Sequence, residues 1–248
     1  MLASLRTARG IIRSLRIYYG DRPRHAAMDA LYHRFVAPGD LVFDIGAHVG
    51  DRVAAFRRLG ARVVAVEPQP ALVRALRLLY GRDENVVIEP IAAGRHKGTI
   101  DLRLNLDNPT VATASDQFIA AASDAPGWEG QAWTSSVSVP VTTLDDLIAL
   151  HGVPNFIKID VEGFEAEVLT GLSCAISALS FEFTTIQRNV ALLALQRCAE
   201  LGYTRFDAAL GESQALIHGT WCSPTDIARW LAELPMEANS GDIYAARG

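Results

Sequence analysis

Short apolar runs alternate along this chain with segments in which apolar residues return at helical spacing, and the two patterns predict strands and helices in turn. Leu41-Val42-Phe43-Asp44-Ile45 and Arg62-Val63-Val64-Ala65-Val66 read as buried strands, residues 85–89 as a third, and residues 99–104, alternating apolar and polar, as another. Residues 155–160 and 179–184 supply further strands. Between them, Leu72, Ala75, Leu76 and Leu79 share one face of a helix that stops before Gly81, with Pro70 suited to its first turn. Ala166, Val168, Leu169 and Leu172 mark a second helix, and residues 189–201 a third that ends at Gly202, a suitable cap. Residues 203–208, 214–218 and 242–246 are expected to close one edge antiparallel. This alternation predicts an α/β fold with a mainly parallel, doubly wound sheet.

The join between the first two strands carries the strongest signal. A glycine turn, Gly46-Ala47-His48-Val49-Gly50, leads into a short helix, and the second strand ends in Glu67. A βαβ unit of this kind, with a tight glycine turn and an acid about 20 residues on, binds nucleosides. A dinucleotide would place its pyrophosphate on the helix N-terminus, where Asp51 would repel it. Gly46-x-x-x-Gly50 also lacks the middle glycine that admits pyrophosphate. S-adenosylmethionine has no phosphate, and its sulfonium and amino groups are cationic, so Asp44 and Asp51 are compatible with it. Glu67 can accept both ribose hydroxyls, before Pro68 and Pro70 bend the chain. The plainer alternative is that Gly46 and Gly50 only permit a tight turn and that Asp51 is an ordinary first-turn acid.

Four segments together resemble the FkbM family of S-adenosylmethionine-dependent methyltransferases: residues 41–50, Val66-Glu67-Pro68, Thr143-Leu144-Asp145-Asp146-Leu147, and Ile157-Lys158-Ile159-Asp160-Val161-Glu162-Gly163. The last is the most specific, and the resemblance spans roughly residues 35–185. His48 stands where members of the family more often have Asn. The resemblance implies a Rossmann-like class I methyltransferase fold and methylation of hydroxyl groups on sugars, polyketides and other natural products. The cofactor-binding set expected is Asp44, Gly46, Ala47, His48, Gly50, Glu67, Pro68, Ala92 and Asp160.

Composition narrows the partners. A chain of 248 residues, 50% hydrophobic, can build one sizeable domain with a sheet covered on both faces, and its net charge of −5 argues against a generic nucleic-acid binder. Cys174, Cys198 and Cys222 are far apart and lack ligand-spaced histidines, which predicts a reduced, cytoplasmic setting and no zinc site. Residues 1–35 are read as an N-terminal helical extension to a domain over residues 36–248. Within residues 1–19, Arg6, Arg9, Arg13 and Arg16 recur at helical spacing, with Leu2, Leu5, Ile12 and Leu15 available for another face. This segment is expected to pack on the domain or on a second subunit; the alternative is peripheral contact with the inner membrane surface. It holds no apolar run long enough to span a membrane.

Ligands of such sheets sit beyond the carboxyl ends of the strands, where Asp44, Glu67, Asp160 and Glu162 converge. Lys158, Asp160 and Glu162 alternate and would point to one side of an extended strand. A lysine among Phe156, Ile157 and Ile159 needs a counter-charge, from Asp160 or Glu182, and is either a structural ion pair or part of the chemistry. Asp160 is placed near the sulfonium and the acceptor, with Glu162, Glu182 and His48 as rival bases; Asp160, Glu162 and Glu182 suit Mg²⁺ equally as hard oxygen ligands. Residues 105–138 are expected to form an inserted acceptor loop in which Trp128 and Trp133 stack on a sugar or anchor the loop. An O-methyltransferase acting on a saccharide or small natural product is the reading reached. An NAD-dependent oxidoreductase and a non-catalytic adenosine-binding protein are the alternatives.

Overall fold

The computed structural model describes residues 2–248, with side chains from Leu5 onward. Two helices, α1 (Leu2–Tyr19) and α2 (Arg22–Tyr32), precede the expected alternation. Asp21 caps α2 by accepting from the Arg24 N–H. The alternation begins with β1 (Leu41–Ile45), α3 (Asp51–Arg58), β2 (Arg62–Val66), α4 (Pro70–Tyr80) and β3 (Val86–Glu89). An excursion follows: β4 (Ala92–Ala93), β5 (Gly98–Leu104), α5 (Asp116–Ala122) and β6 (Ser135–Thr142). The chain returns through α6 (Leu144–His151), β7 (Phe156–Ile159), α7 (Glu165–Thr170), β8 (Ala178–Thr184) and α8 (Arg188–Leu201). It closes with β9 (Arg205–Leu210), α9 (Pro224–Glu233) and β10 (Ser240–Ala246).

The main sheet has seven strands in the order β3-β2-β1-β7-β8-β10-β9. Only β10 runs antiparallel, pairing with β8 on one side and β9 on the other. Strand order reverses between β1 and β7, whose tips therefore flank a crevice open to ligands. Alternate residues of β1 feed the two cores. Leu41, Phe43 and Ile45 join Ile157, Val168, Leu195 and Ile227 on one face, while Val42 joins Tyr32, Val53, Phe56 and Leu76 on the other. Both faces are covered, which is why β1 reads as a nearly unbroken apolar run.

Three expectations need correction. The strand expected at residues 99–104 forms, as β5, outside the main sheet: it pairs antiparallel with β6 in a second sheet ordered β4-β6-β5. Part of the expected loop over residues 105–138 is therefore regular, because β6 begins at Ser135 and α5 starts behind a Ser115 cap. Residues 214–218 form no strand; the Ile217 N–H donates to the Ala208 carbonyl and the His218 N–H to Asp207 Oδ1, which holds the segment against β9 without a ladder. The remaining edge does close antiparallel through β9 and β10.

Helix α1 packs on the domain. Arg6 pairs with Asp107, and a side chain at Gly10 would stand 2.8 Å from Pro109 Cδ, so this glycine serves close helix packing. The Tyr19 hydroxyl donates to the Val49 carbonyl at 3.0 Å and lies 2.6 Å from the Tyr80 hydroxyl. Arg9, Arg13 and Arg16 face outward with Leu5, Ile12 and Ile17; the Leu2 side chain lies outside the described residues. No helix among the described residues is long and apolar enough to cross a membrane.

Candidate active site

The glycine turn after β1 is shaped by its neighbours. Gly46 has φ 87°, and a Cβ there would fall 1.8 Å from the backbone oxygen of Asp160. Only glycine lets the tips of β1 and β7 approach this closely. The N–H groups of Gly46 and Ala47 both donate to the Val66 carbonyl, at 2.9 and 3.0 Å. Gly50, at φ 84°, precedes α3, and its missing side chain leaves room for Leu76 and Tyr80. The plain structural reading accounts for Gly50, which does not border the cavity described below.

Glu67 ties this turn to the next. Its Oε2 accepts the His48 N–H and its Oε1 the Gln69 N–H, both at 2.8 Å. Burial pushes this carboxyl up to about 8 despite those donors. Asp44 is buried as well, pushed up to about 7 by burial and by Asp51, and its Oδ2 has no hydrogen-bond partner. His48 is held down to about 4 by burial and is neutral at pH 7.

Asp51 is not the bare charge that its position suggests. It pairs with Arg24 Nη2 at 2.8 Å and Arg52 Nη1 at 2.7 Å, and both arginines reach Glu212. Burial opposes its ionisation, but the two arginines hold Asp51 below the ordinary carboxylate range. Its field at the N-terminus of α3 is thus largely balanced, so charge repulsion of a pyrophosphate is a weaker objection than the sequence implied.

The turn after β7 is built from strain and acid. Glu162, φ 54°, and Gly163, φ 88°, occupy left-handed backbone, and a non-glycine residue there is costly enough to signal a constraint. Glu165 Oε1 accepts from the N–H groups of Val161 and Gly163, and the Thr113 hydroxyl donates to the Glu162 carbonyl at 2.6 Å. Because the strand ends at Ile159, the expected extended alternation breaks before Glu162. Asp160, Glu162 and Glu182 nevertheless meet, each offering an oxygen within 4.8 Å of the others.

Lys158 is fully buried, 2.7 Å from Asp242 Oδ1 and 3.1 Å from Asp160 Oδ2. Asp160 was one of its expected partners; Glu182, the other, makes no ion pair with it, and the shortest bond goes instead to Asp242 on β10. Burial favours the neutral form of Asp160, but the Lys158 and Arg52 cations overturn that and keep it ionised below its ordinary range. Glu162 is pushed far up by burial and by Asp160 and Glu165; Glu182 is pushed far up by burial, Asp160 and Glu162. One carboxylate is thus held charged beside two that favour their protons.

A cavity of about 270 Å³ opens over both turns. Asp44, Gly46, Ala47, His48, Glu67, Pro68, Ala92, Asp160, Glu162 and Glu182 line it; Gly50 and Lys158 do not. Lys158 therefore positions Asp160 from behind.

The sequence profile described as the methyltransferase FkbM domain matches residues 44–214. The chain belongs to the FkbM methyltransferase family. It carries a methyltransferase domain of the S-adenosylmethionine-dependent kind. Hexuronic acid methyltransferase AglP of Haloferax volcanii is 28% identical over 153 residues, which are 61% of this chain and 57% of that protein. The chain thus matches little more than half the length of that relative. Among solved structures, an S-adenosylmethionine-dependent O-methyltransferase from Thermotoga maritima is 13% identical with a TM-score of 0.42, covering 90% of this chain and 64% of that one. Fibrillarin from Aeropyrum pernix, with S-adenosyl-L-methionine natively bound, is 10% identical with a TM-score of 0.44, covering 86% and 68%. Scores this low carry no weight for function.

In this FkbM chain, His48 lies at φ 49°. Asn and His are both enriched in that left-handed region, so backbone shape alone explains the exchange at this position. Sequence reasoning missed Tyr18, Arg52, Glu212, Asn239 and Ser240, all of which line the cavity together with Thr110 of the expected acceptor loop. Tyr18 packs edge-on against His48 at 5.7 Å and beneath the Arg24 guanidinium at 4.9 Å, so α1 supplies part of the wall. The two tryptophans differ. Trp133 donates to the Val111 carbonyl at 2.7 Å and does not reach the cavity, whereas Trp128 borders it and donates to Asn239 Oδ1 at 3.2 Å.

Proposed function

We propose that this protein transfers a methyl group from S-adenosylmethionine to a hydroxyl oxygen of a saccharide or related natural-product acceptor. The observation that carries the reading is the meeting of both turns at one cavity where strand order reverses, with an ionised Asp160 facing buried acids across it. Glu67 is the ribose acceptor in this reading: each of its oxygens already takes one N–H and keeps a lone pair for a ribose hydroxyl. Asp44, with Oδ2 buried and unpartnered, receives the α-ammonium group. Pro68 and Ala92 flank the base.

Transfer forms an acceptor O–C bond as the C–S bond breaks, its electron pair going to sulfur to leave S-adenosylhomocysteine. The hydroxyl proton passes to Asp160. Aligning the acceptor oxygen with the sulfonium contributes about 7–11 kcal/mol and proton removal about 10²–10⁴-fold. Lys158 acts through Asp160, holding it charged and oriented. The similarity to a hexuronic acid methyltransferase supports a sugar acceptor, and Trp128, Asn239 and Thr110 offer the apolar face and polar edges a sugar needs.

The test is a screen of free and lipid-linked saccharides with cofactor labelled in the methyl group. Label appearing on a saccharide hydroxyl, with equimolar S-adenosylhomocysteine, supports the assignment; label found on nitrogen or on a carboxylate ester overturns it. Tight binding of NAD with none of S-adenosylhomocysteine would transfer the site to an oxidoreductase.

A further inference from the structure

The carboxylates beyond β7 and β8 are not balanced by the protein around them. Lys158, the cation within this group, bonds Asp160 and Asp242. Among the described residues no ion pair reaches Glu162 or Glu182. A separate observation concerns the oxygens themselves. Glu162 is only 7% exposed, yet its Oε2 meets no donor, and Glu182 Oε2 is likewise buried and unpartnered. An unsatisfied buried acceptor costs about 1–3 kcal/mol, and more if charged. With Asp160, these residues bring their oxygens within 4.8 Å of one another at a wall of the main cavity, where a ligand from solvent can reach them.

We propose that Asp160, Glu162 and Glu182 bind a hard divalent cation, Mg²⁺ or Mn²⁺, at the acceptor end of the cavity. The donor set is entirely anionic oxygen, which selects that class of ion. Opposite ligands stand about 4.1 Å apart on Mg²⁺ and about 4.6–5.2 Å apart on Ca²⁺. Oxygens no more than 4.8 Å apart come within reach of one such ion, and small side-chain rotations bring them to the closer spacing of Mg²⁺. On releasing their protons to solvent as the ion enters, Glu162 and Glu182 supply two charges that match one divalent ion. Three protein ligands leave coordination positions facing the cavity for water and for acceptor oxygens. The inference rests on the methyltransferase reading for the role of the ion: it would take two adjacent acceptor oxygens, as in a vicinal diol or a hydroxy acid, and ease loss of the hydroxyl proton. Binding itself does not depend on that reading.

The test titrates the full chain, stripped with EDTA and desalted, with Mn²⁺ while electron paramagnetic resonance follows the free ion. One Mn²⁺ per chain is expected, displaced by Mg²⁺ and weakened at least about tenfold by Glu162→Gln and by Glu182→Gln. Gln keeps the size of each side chain and adds no charge to the site, so in EDTA both variants should melt at or above the wild-type temperature. Mg²⁺ should then raise the melting temperature of the wild type alone. Binding that survives both substitutions, or no binding by folded wild type at millimolar Mn²⁺, overturns the site in favour of a proton shared between Glu182 and Asp160. Calorimetry of S-adenosylhomocysteine in EDTA reads the cofactor assignment separately. Loss of the ion with the cofactor still bound strikes only the cation.

Discussion

Two turns stand side by side at the carboxyl ends of β1 and β7, and they are built on opposite principles. The turn after β1 satisfies itself: Gly46 and Ala47 donate to Val66, His48 donates to Glu67, and the arginines around Asp51 neutralise it. The turn after β7 leaves charge unresolved, with Glu162 strained and its Oε2 unpartnered beside an ionised Asp160. The first is a rigid shape that a cofactor can lie against. The second is a field that a reacting group must complete. Binding can be assigned to backbone form; chemistry belongs where the fold holds groups it does not itself satisfy.

The sharpest way to break this division is Asp160→Asn. It should lower methyl transfer by about 10²–10⁴-fold while S-adenosylhomocysteine affinity, read by calorimetry, stays within a few-fold. Unchanged turnover would mean that the second turn is no more chemical than the first. Gly46→Ala probes the opposite side. The new Cβ would meet the Asp160 carbonyl at 1.8 Å with φ held at 87°, so denaturant melting should show a loss of about 3 kcal/mol or more. A variant as stable as the wild type would show that the two strand tips can part.

Glu67→Gln should have the smallest effect. It converts one acceptor into a donor facing an N–H and should weaken cofactor binding about tenfold, a change of roughly 1.4 kcal/mol. Its pH signature has a definite sign. Burial raises Glu67 from 4.5 to about 8, so the folded chain holds a proton that the unfolded chain releases. That contribution to stability is whole below about pH 4.5 and is lost as the pH rises to about 8. Asp44 acts in the same direction, between 3.8 and about 7. Unliganded wild type should therefore melt progressively lower across that range, and Glu67→Gln should flatten the slope; an unaltered slope would remove Glu67 from the buried, protonated site.

Much of this was legible in the chain, for identifiable reasons. β1, β2, β7 and β8 are buried on both faces, so their composition alone announces them. Pro70 in the first turn of α4 and the Gly202 cap after α8 act locally and were equally readable. β6 was hidden because every second residue faces solvent and its serines resemble a loop. α9 went unnoticed although Ser223, Pro224 and Asp226 form a recognisable start. The segment 214–218 misled because its hydrogen bonds go to single groups on β9 rather than along a ladder.

The sequence by itself determined the strand–helix alternation, the glycine turn and the acids at the strand ends, since propensity, spacing and capping act over a few residues. Tertiary structure alone decided who neutralises whom. Asp242 reaches Lys158 from 84 residues away, Arg24 pairs with Asp51 and bonds Glu212 across 188 residues, and Tyr18 enters the cavity from a helix that precedes the sheet. Coulomb energies depend on distances through space and on burial, and neither is written in the local order of residues.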